Sequence, residues 1–320
     1  MLFIDTMNIP YKLKSWISLD KINNHNEGEG WEYISSNPNA IELLKENQDK
    51  ICWDTLSANP NAINLLNDNK DKIHWSNLSS NPNAIGILER NIEKIDWYAL
   101  SFNPNAIHLL VKNKLKIDWD YLSTNKCATE LFKDNLEHIN WSCLSANPNA
   151  MCILEKNIDK ICWYQLSTNP SAFHLLKKNE DKIDWFYMCS NPNPKCIKML
   201  EKHLETQPNT ILDWCSLCEN PFATHIVTSH KDLIIWDFIS DNPNAIDFLK
   251  ENIKNVSWEW LYTNPAIFEI DYAIMKHRSK DLKEEIMIKC FHPKRLVYFL
   301  KKYQYCIGND EYVNDVFDIL

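Results

Sequence analysis

Tryptophan recurs every 22 residues through most of this 320-residue chain, and few folds can accommodate that period. One interval lengthens to 29 residues, after which the shorter period resumes, giving Trp31, Trp53, Trp75, Trp97, Trp119, Trp141, Trp163, Trp185, Trp214, Trp236 and Trp258. A large side chain at a fixed period of this length is typical of a solenoid, in which one small unit is stacked many times. The spacing therefore predicts eleven stacked units.

Each unit, numbered from its tryptophan as column 1, follows the pattern W-x-x-L-S-x-N-P-N-A-I-x-L-L-x-x-N-x-D-K-I-x. Column 7 is Asn in all eleven units and column 8 is Pro in ten, with Lys126 the exception. Asn followed by Pro is typical of a helix start, so a helix is predicted from Asn59 to about Asn67 or Asp68. Asn in column 17 favours the end of that helix. The W-x-x-L-S segment predicts a short α or 3-10 helix, with Trp and Leu on one buried face.

These patterns predict an all-α fold, an α-solenoid of about eleven 22-residue units. Each unit would pair the short α or 3-10 helix with a longer α-helix of nine to eleven residues, and helical caps would close both ends. Helices packed about 8–10 Å apart predict a rod or arc on the order of 100 Å long. The predicted boundaries are an N-terminal cap and loop over 1–30, the repeat array over 31–269 and a C-terminal helical cap over 270–320.

The repeat L-S-x-N-P-N-A-I-x-L-L resembles the leucine-rich repeat variant family, whose units pair a 3-10 helix with an α-helix. It is more similar still to the W-x-x-L-S-x-N-P-N-A-I repeat proteins of giant DNA viruses. The similarity covers about residues 13 to 267, and Phe291–Leu296 resembles the closing segment of that viral group. The resemblance implies the solenoid fold and a viral origin, and it implies no shared activity.

Two segments depart from the 22-residue period. The long interval before Trp214 places its extra residues in Pro194–Asn209, which predicts a helix that projects beyond its neighbours. Near the start, Trp16–Ile22 is similar to the end of a repeat, whereas Asn23–Gly30 contains two of the four glycines and is predicted to be a loop.

Composition limits the functional classes. The net charge of −9 disfavours a protein that follows nucleic-acid phosphates, which needs a basic face. The eleven cysteines are scattered through the repeats and favour reduced thiols, hence a cytoplasmic protein, in the host cytoplasm if viral. The N-terminal residues do not resemble a signal peptide, and no apolar run is long enough to cross a membrane.

Catalytic, cofactor and metal sites are not predicted. Cys215 and Cys218 form a C-x-x-C, with Cys189, His225 and His230 near them in sequence. Cys189 and Cys218 both occupy column 5 of successive units, so buried replacement of a small residue is favoured over zinc binding. The chain contains no phosphate-binding or nucleophile motif. The tryptophan column is predicted to pack in the core rather than to stack on bases.

The variable columns 2, 3 and 6 are predicted to face solvent, and there aromatic residues are costly unless a partner covers them. The best candidate for partner binding is Tyr98, Phe102, Tyr121, Tyr164, Phe186 and Tyr187, with Tyr33, Phe238 and Trp260 in the same columns. The alternative is that these rings cover the joints between units. A secondary basic patch, the only candidate for RNA contact, consists of Lys177, Lys178, Lys195, Lys198 and Lys202.

The leading hypothesis is a non-catalytic scaffold that binds a host or viral protein through one solenoid face. It involves no membrane and no small-molecule substrate. A structural component of a viral particle or larger assembly is the alternative. An RNA-binding helical-repeat protein is the third hypothesis, which the acidic balance disfavours.

Overall fold

The computed structural model describes residues 9–277, except for the side chains of 26 and 27. The regular secondary structure of these residues is almost entirely helical. Residues 12–269 form one compact unit that contains the whole repeat array. The predicted all-α solenoid of eleven units is confirmed. Residues 278–320 of the predicted C-terminal helical cap lie outside the described part of the chain.

Every unit begins with a first helix that starts at or next to its tryptophan and ends before the column-7 asparagine. In several units the side chain of the residue before the tryptophan accepts hydrogen bonds from the first turn, as Asp96 does from Tyr98 N at 3.1 Å. The first helices are Gly30–Ser36, Trp53–Ala58, Trp75–Ser80, Trp97–Phe102, Trp119–Thr124, Trp141–Ala146, Trp163–Thr168, Trp185–Met188, Trp214–Glu219, Trp236–Asp241 and Trp258–Thr263.

The second helix of most units has four to six residues, so the prediction of a longer helix is wrong for every unit except that of Trp185. The Asn-Pro pair forms a turn, in which the Asn side-chain oxygen accepts the N–H two residues later, and the helix starts near column 11. The 13-residue helix in the Trp185 unit confirms the projecting helix. The second helices are Ile41–Glu46, Ile63–Asp68, Ile85–Leu88, Ile107–Lys112, Thr129–Phe132, Met151–Leu154, Phe173–Lys178, Pro194–Thr206, Thr224–Ser229 and Ile246–Glu251.

Column 17 ends the second helix as predicted, because its Asn side-chain amide donates to the carbonyl four residues earlier, for example Asn69 Nδ2 to Leu65 O at 2.9 Å. Short 3-10 helices then lead to the next unit: Gln48–Lys50, Lys70–Lys72, Ile92–Lys94, Lys114–Lys116, Leu136–His138, Ile158–Lys160, Glu180–Lys182 and Lys231–Leu233. The isoleucine after the connector is buried in most units, as predicted.

The core contains the Leu of column 4, the Ala of column 10 and the Leu of column 14, which are fully buried in most units. The tryptophans are only half-buried, apart from Trp31, so their predicted place in the core is wrong. Instead, the lysine of column 20 lies over the tryptophan of its own unit, with Lys94 Nζ 4.6 Å from the centre of the Trp75 ring. Similar lysine–tryptophan pairs occur in most units. In each pair the tryptophan ring attracts the ammonium group, and the aliphatic part of the lysine side chain shields the ring from water.

Buried asparagines join the units through a ladder of hydrogen bonds. The column-7 Asn donates to two carbonyls of the preceding unit, as Asn103 Nδ2 does to Ser79 O at 3.0 Å and Asn81 O at 2.8 Å. Its side-chain oxygen accepts the N–H of Asn105 at 3.0 Å. Because one amide satisfies three buried or half-buried backbone groups, no other residue type serves this position equally well.

The ladder of hydrogen bonds joins the first unit to the last, so the predicted open rod or arc is wrong. Asn37 in the first unit donates to Tyr262 O at 2.9 Å and Asn264 O at 3.0 Å in the last unit. These are columns 5 and 7, the same columns that the ladder asparagines contact at most other joints, such as Asn103. The first helix of the first unit also packs on Trp258–Thr263 as on its sequence neighbour. Residues 12–269 therefore form a closed ring, in which each unit turns by about 33° relative to the last.

The N-terminal segment completes the last unit of the ring. The unit of Trp258 has no second helix of its own, because the 3-10 turn Pro265–Ile267 leads into the strand Phe268–Ile270, which pairs with Tyr11–Leu13. Helix Leu19–Asn24 supplies the missing connector, with Ile22 fully buried. Lys21 Nζ lies 4.0 Å from the centre of the Trp258 ring, as the column-20 lysines do elsewhere.

The segment after this helix is compact rather than the predicted loop. A 3-10 helix spans His25–Gly28, and Gly28 has a φ of 105°, which favours glycine. At Gly30 a Cβ atom would come within 2.6 Å of Ile22 O, so only glycine allows the first unit to pack against the N-terminal helix. A second compact unit contains residues 1–11 and 270–320. In its described part, residues 272–277 are helical, and Asp271 N donates to Pro10 O at 2.8 Å.

Candidate functional site

The first helices form the inner wall of the ring. In a closed ring, the elements of neighbouring units that lie closest together are those nearest the axis. First helices pack closely on one another at every joint except that between Trp185–Met188 and Trp214–Glu219, where Asn220 of the ladder makes the connection. Second helices contact one another sparsely in the described residues. The second helices therefore lie outside, and the free face of the first helices, columns 2, 3 and 6, is directed inward. We call these positions the inner surface.

All six predicted partner-binding residues lie on this inner surface and are exposed. Tyr98 and Phe102 are 53% and 51% exposed, and the other four range between 37% and 42%. They belong to four units between Trp97 and Trp185, so the structure brings them onto one arc of the ring.

Tyrosines of neighbouring units pair across the joints. The ring centres of Tyr98 and Tyr121 are 4.0 Å apart and their hydroxyls are hydrogen-bonded, whereas those of Tyr164 and Tyr187 are 5.1 Å apart. The hydrogen bond to the Tyr121 hydroxyl raises the pKa of Tyr98 to about 12, so the Tyr98 hydroxyl remains a neutral phenol at physiological pH. The alternative prediction, that these rings cover the joints between units, is therefore correct in part. The rings span the joints, but they remain partly exposed to solvent.

Carboxylates surround this aromatic arc. Asp96, Asp118 and Asp184 precede the tryptophans of three of these units, and each accepts backbone N–H groups at the start of its first helix. A hydrogen bond from Ser76 lowers the pKa of Asp96, which keeps it ionised. This column belongs to the connector in the repeat pattern, and its acids were not predicted to have a role, although an acidic residue directly before a helix is a recognisable capping signal.

The basic patch is distributed over two outer helices. Lys177 Nζ and Lys195 Nζ lie 6.0 Å and 5.3 Å from the centre of the Phe173 ring. The two lysines belong to adjacent units, so the patch extends across the joint between them. Lys178 and Lys198 are exposed, and Lys202 lies near Trp185 and His203 on the projecting helix. The five lysines therefore share the outer side of the ring and do not contribute to the inner surface.

The cysteines of the C-x-x-C neighbourhood occupy structural positions. Cys189 and Cys218 are buried in place of the column-5 serine, and Cys189 Sγ donates to Trp185 O at 3.3 Å as the serines do. Burial raises the pKa of Cys189 to about 12, so it remains a thiol. In the part of the chain that the structure describes, no three His, Cys, Asp or Glu side chains are grouped as metal ligands.

The fold and this surface define the chain as a closed, ring-forming α-helical repeat protein with an aromatic and acidic inner surface. No protein-family model, curated protein or solved structure matches the chain. Between residues 9 and 277, no helix has both the length and the apolar character needed to cross a bilayer.

Proposed function

We propose that this protein is a non-catalytic scaffold that binds a protein partner through the aromatic arc of its inner surface. The observation that carries the proposal is the exposure of six aromatic side chains on one arc of a rigid ring. Tyrosine and phenylalanine provide large contact areas with little rotamer entropy to lose, and they are favoured anchors of protein interfaces. The hydrogen-bonded ladder beneath them holds their backbone in place before a partner arrives.

We also propose a cytoplasmic location, with a host or viral partner if the resemblance to giant-virus repeat proteins reflects common origin. The nine described cysteines are free, and burial raises the pKa of Cys189, Cys196 and Cys218. Buried thiols of this kind are typical of a reducing compartment.

The test is affinity capture from the cytosol in which the protein is expressed, comparing wild type with Tyr98→Ala, Tyr121→Ala, Tyr164→Ala and Tyr187→Ala combined. The matched control replaces four exposed aliphatic residues of the outer connectors by alanine: Ile92, Leu115, Leu136 and Ile158. A protein captured by wild type and the control, and lost with the tyrosine variant, supports the proposal. Equal capture by all three chains contradicts it, and circular dichroism checks that each variant is folded.

A further inference from the structure

Resting on the proposed function, we infer that the partner presents a lysine- and arginine-rich segment, which binds to the inner surface of the ring. The segment's ammonium and guanidinium groups would contact the carboxylates there and lie on the open aromatic faces. The inference depends on the distribution of charge within the ring, on the aromatic pairs and on the size of the inner surface.

Charge is segregated between the two sides of the ring. Columns 2, 3 and 6 of the eleven first helices contain no lysine, arginine or histidine. They contain seven acidic residues, namely Glu32, Asp54, Asp120, Glu219, Asp237, Asp241 and Glu259. The column-20 lysines instead lie over the half-buried tryptophans. Glu259 already faces a basic group of this chain, because His25 Nε2 lies 3.5 Å from Glu259 Oε1. A surface whose other charged side chains are all acidic, enclosed by low-dielectric walls, concentrates the potential and attracts ligands of the opposite charge.

Most of these carboxylates form a second arc that follows the aromatic one. Glu219, Asp237, Asp241 and Glu259 belong to three successive units, and the closure of the ring continues the arc to Glu32 and Asp54. Burial and the nearby carboxylates of Asp241 and Asp213 raise the pKa of Glu219. The two neighbouring carboxylates contribute to this shift after burial, and a cationic side chain placed beside them would offset their mutual repulsion.

The aromatic pairs add a second kind of cation-binding group. Within residues 9–277, the lysines that lie over aromatic rings do so on column-1 tryptophans or on Phe173. The inner-surface rings have comparable chemistry: Tyr98 with Tyr121, Tyr164 with Tyr187, and Phe238 with Trp260, whose centres are 5.7 Å apart. A partner's arginine or lysine can therefore make on these rings the contact that the protein's own lysines make on its tryptophans.

The size of the inner surface favours a peptide over a small cation. Eleven helices packed about 8–10 Å apart place opposite helix axes about 28–35 Å from each other. Because a helix with its side chains is about 10–12 Å across, the free width between opposite helices is about 16–25 Å. An extended segment of about six residues spans this width. Such a segment can reach carboxylates and aromatic rings of several units at once, whereas a single small cation can reach those of one joint.

The test is fluorescence anisotropy with the full chain and a labelled peptide of about ten alternating lysine and arginine residues. One variant neutralises inner-surface acids: Glu32→Gln, Asp54→Asn, Glu219→Gln, Asp237→Asn and Asp241→Asn. The control neutralises five exposed connector acids with the same charge change: Asp49→Asn, Asp71→Asn, Glu93→Gln, Asp159→Asn and Asp181→Asn. Because each exposed ion pair contributes about a twofold factor, the first variant should bind about thirtyfold more weakly. The control should remain within about twofold of wild type.

Equal weakening by the two variants would overturn the inference, because it would show attraction to net charge alone. Stronger binding of spermine than of the peptide would also overturn it, in favour of a small polycation. Capture of a cytosolic protein separates this inference from the proposed function. A protein that is lost with the tyrosine variant and retained by the inner-acid variant would support binding through the aromatic arc and contradict a basic partner segment. A protein that is retained by the tyrosine variant and lost with the inner-acid variant would support the basic segment and contradict the proposed function.

Discussion

The asparagine ladder allows a quantitative prediction about what holds the ring together. Asn147 is 2% exposed, donates to Ser123 O at 3.1 Å and Asn125 O at 3.0 Å, and accepts the N–H of Asn149 at 3.0 Å. In Asn147→Ala, Asn125 O keeps its bond from Ala128 N, whereas the buried Ser123 carbonyl loses the donor it has in the structure. An unsatisfied buried polar group costs about 1–3 kcal/mol, and the freed Asn149 N–H at the surface costs less. We expect a total loss of about 2–4 kcal/mol.

The matched control is Asn149→Ala in the same turn. Asn149 also donates to a carbonyl of the preceding unit, Lys126 O at 2.8 Å, but it is exposed and water can replace the bond. We expect a loss of about 1 kcal/mol or less. Urea unfolding followed by circular dichroism compares the free energies of unfolding of the two variants with that of wild type. Equal losses, or a loss below about 0.5 kcal/mol for Asn147→Ala, would refute the argument that burial makes the ladder important.

Three further predictions concern closure, stacking and charge. Asn37→Ala should destabilise the protein as much as Asn147→Ala, since both remove the same bonds; a negligible loss in urea unfolding would show that the ring is open at this joint. Lys94→Gln should cost about 0.5–1 kcal/mol by removing the cation over Trp75, with Lys70→Gln as an exposed control that should be neutral. Burial raises the pKa of Glu219 and Asp241 above the unfolded values, so the folded state binds protons more tightly. Unfolding free energy should therefore rise as pH falls through their folded pKa values and fall as pH increases. Glu219→Gln with Asp241→Asn should flatten this dependence, and an unchanged pH profile would contradict the assignment.

The repeat pattern was sufficient to predict the helical units, because tryptophan, leucine and asparagine recur at constant columns. It was not sufficient to predict the lengths of the second helices. Asn59 and Pro60 are common both at helix starts and in tight turns, and here the Asn amide is held by carbonyls of the preceding unit, which no local pattern records. The closure of the ring was equally difficult to predict from the sequence. It depends on a small rotation at every joint, and the only sequence signal was the repeat-like Asp20-Lys21-Ile22 ahead of the first unit.

The candidate binding residues were predictable as exposed, because they occupy variable columns of a regular pattern. Their convergence was not predictable, since an open array would spread the same columns along a line rather than around an axis. The acids of the inner surface were missed for a related reason. Read along the chain, Glu219 and Asp54 are more than a hundred residues apart, and only the ring places them on one arc.

The closed ladder also bears on how such a protein can change over time. An open array can gain or lose one module by unequal duplication and retain nearly the same joint geometry throughout. Here the loss of one module would require every remaining joint to turn by about 36° instead of about 33°, with all the ladder bonds adjusting together. A closed ring can therefore contain only a whole number of modules, and each number of modules gives a ring of different inner diameter. Duplication would alter what fits inside as well as how long the chain is.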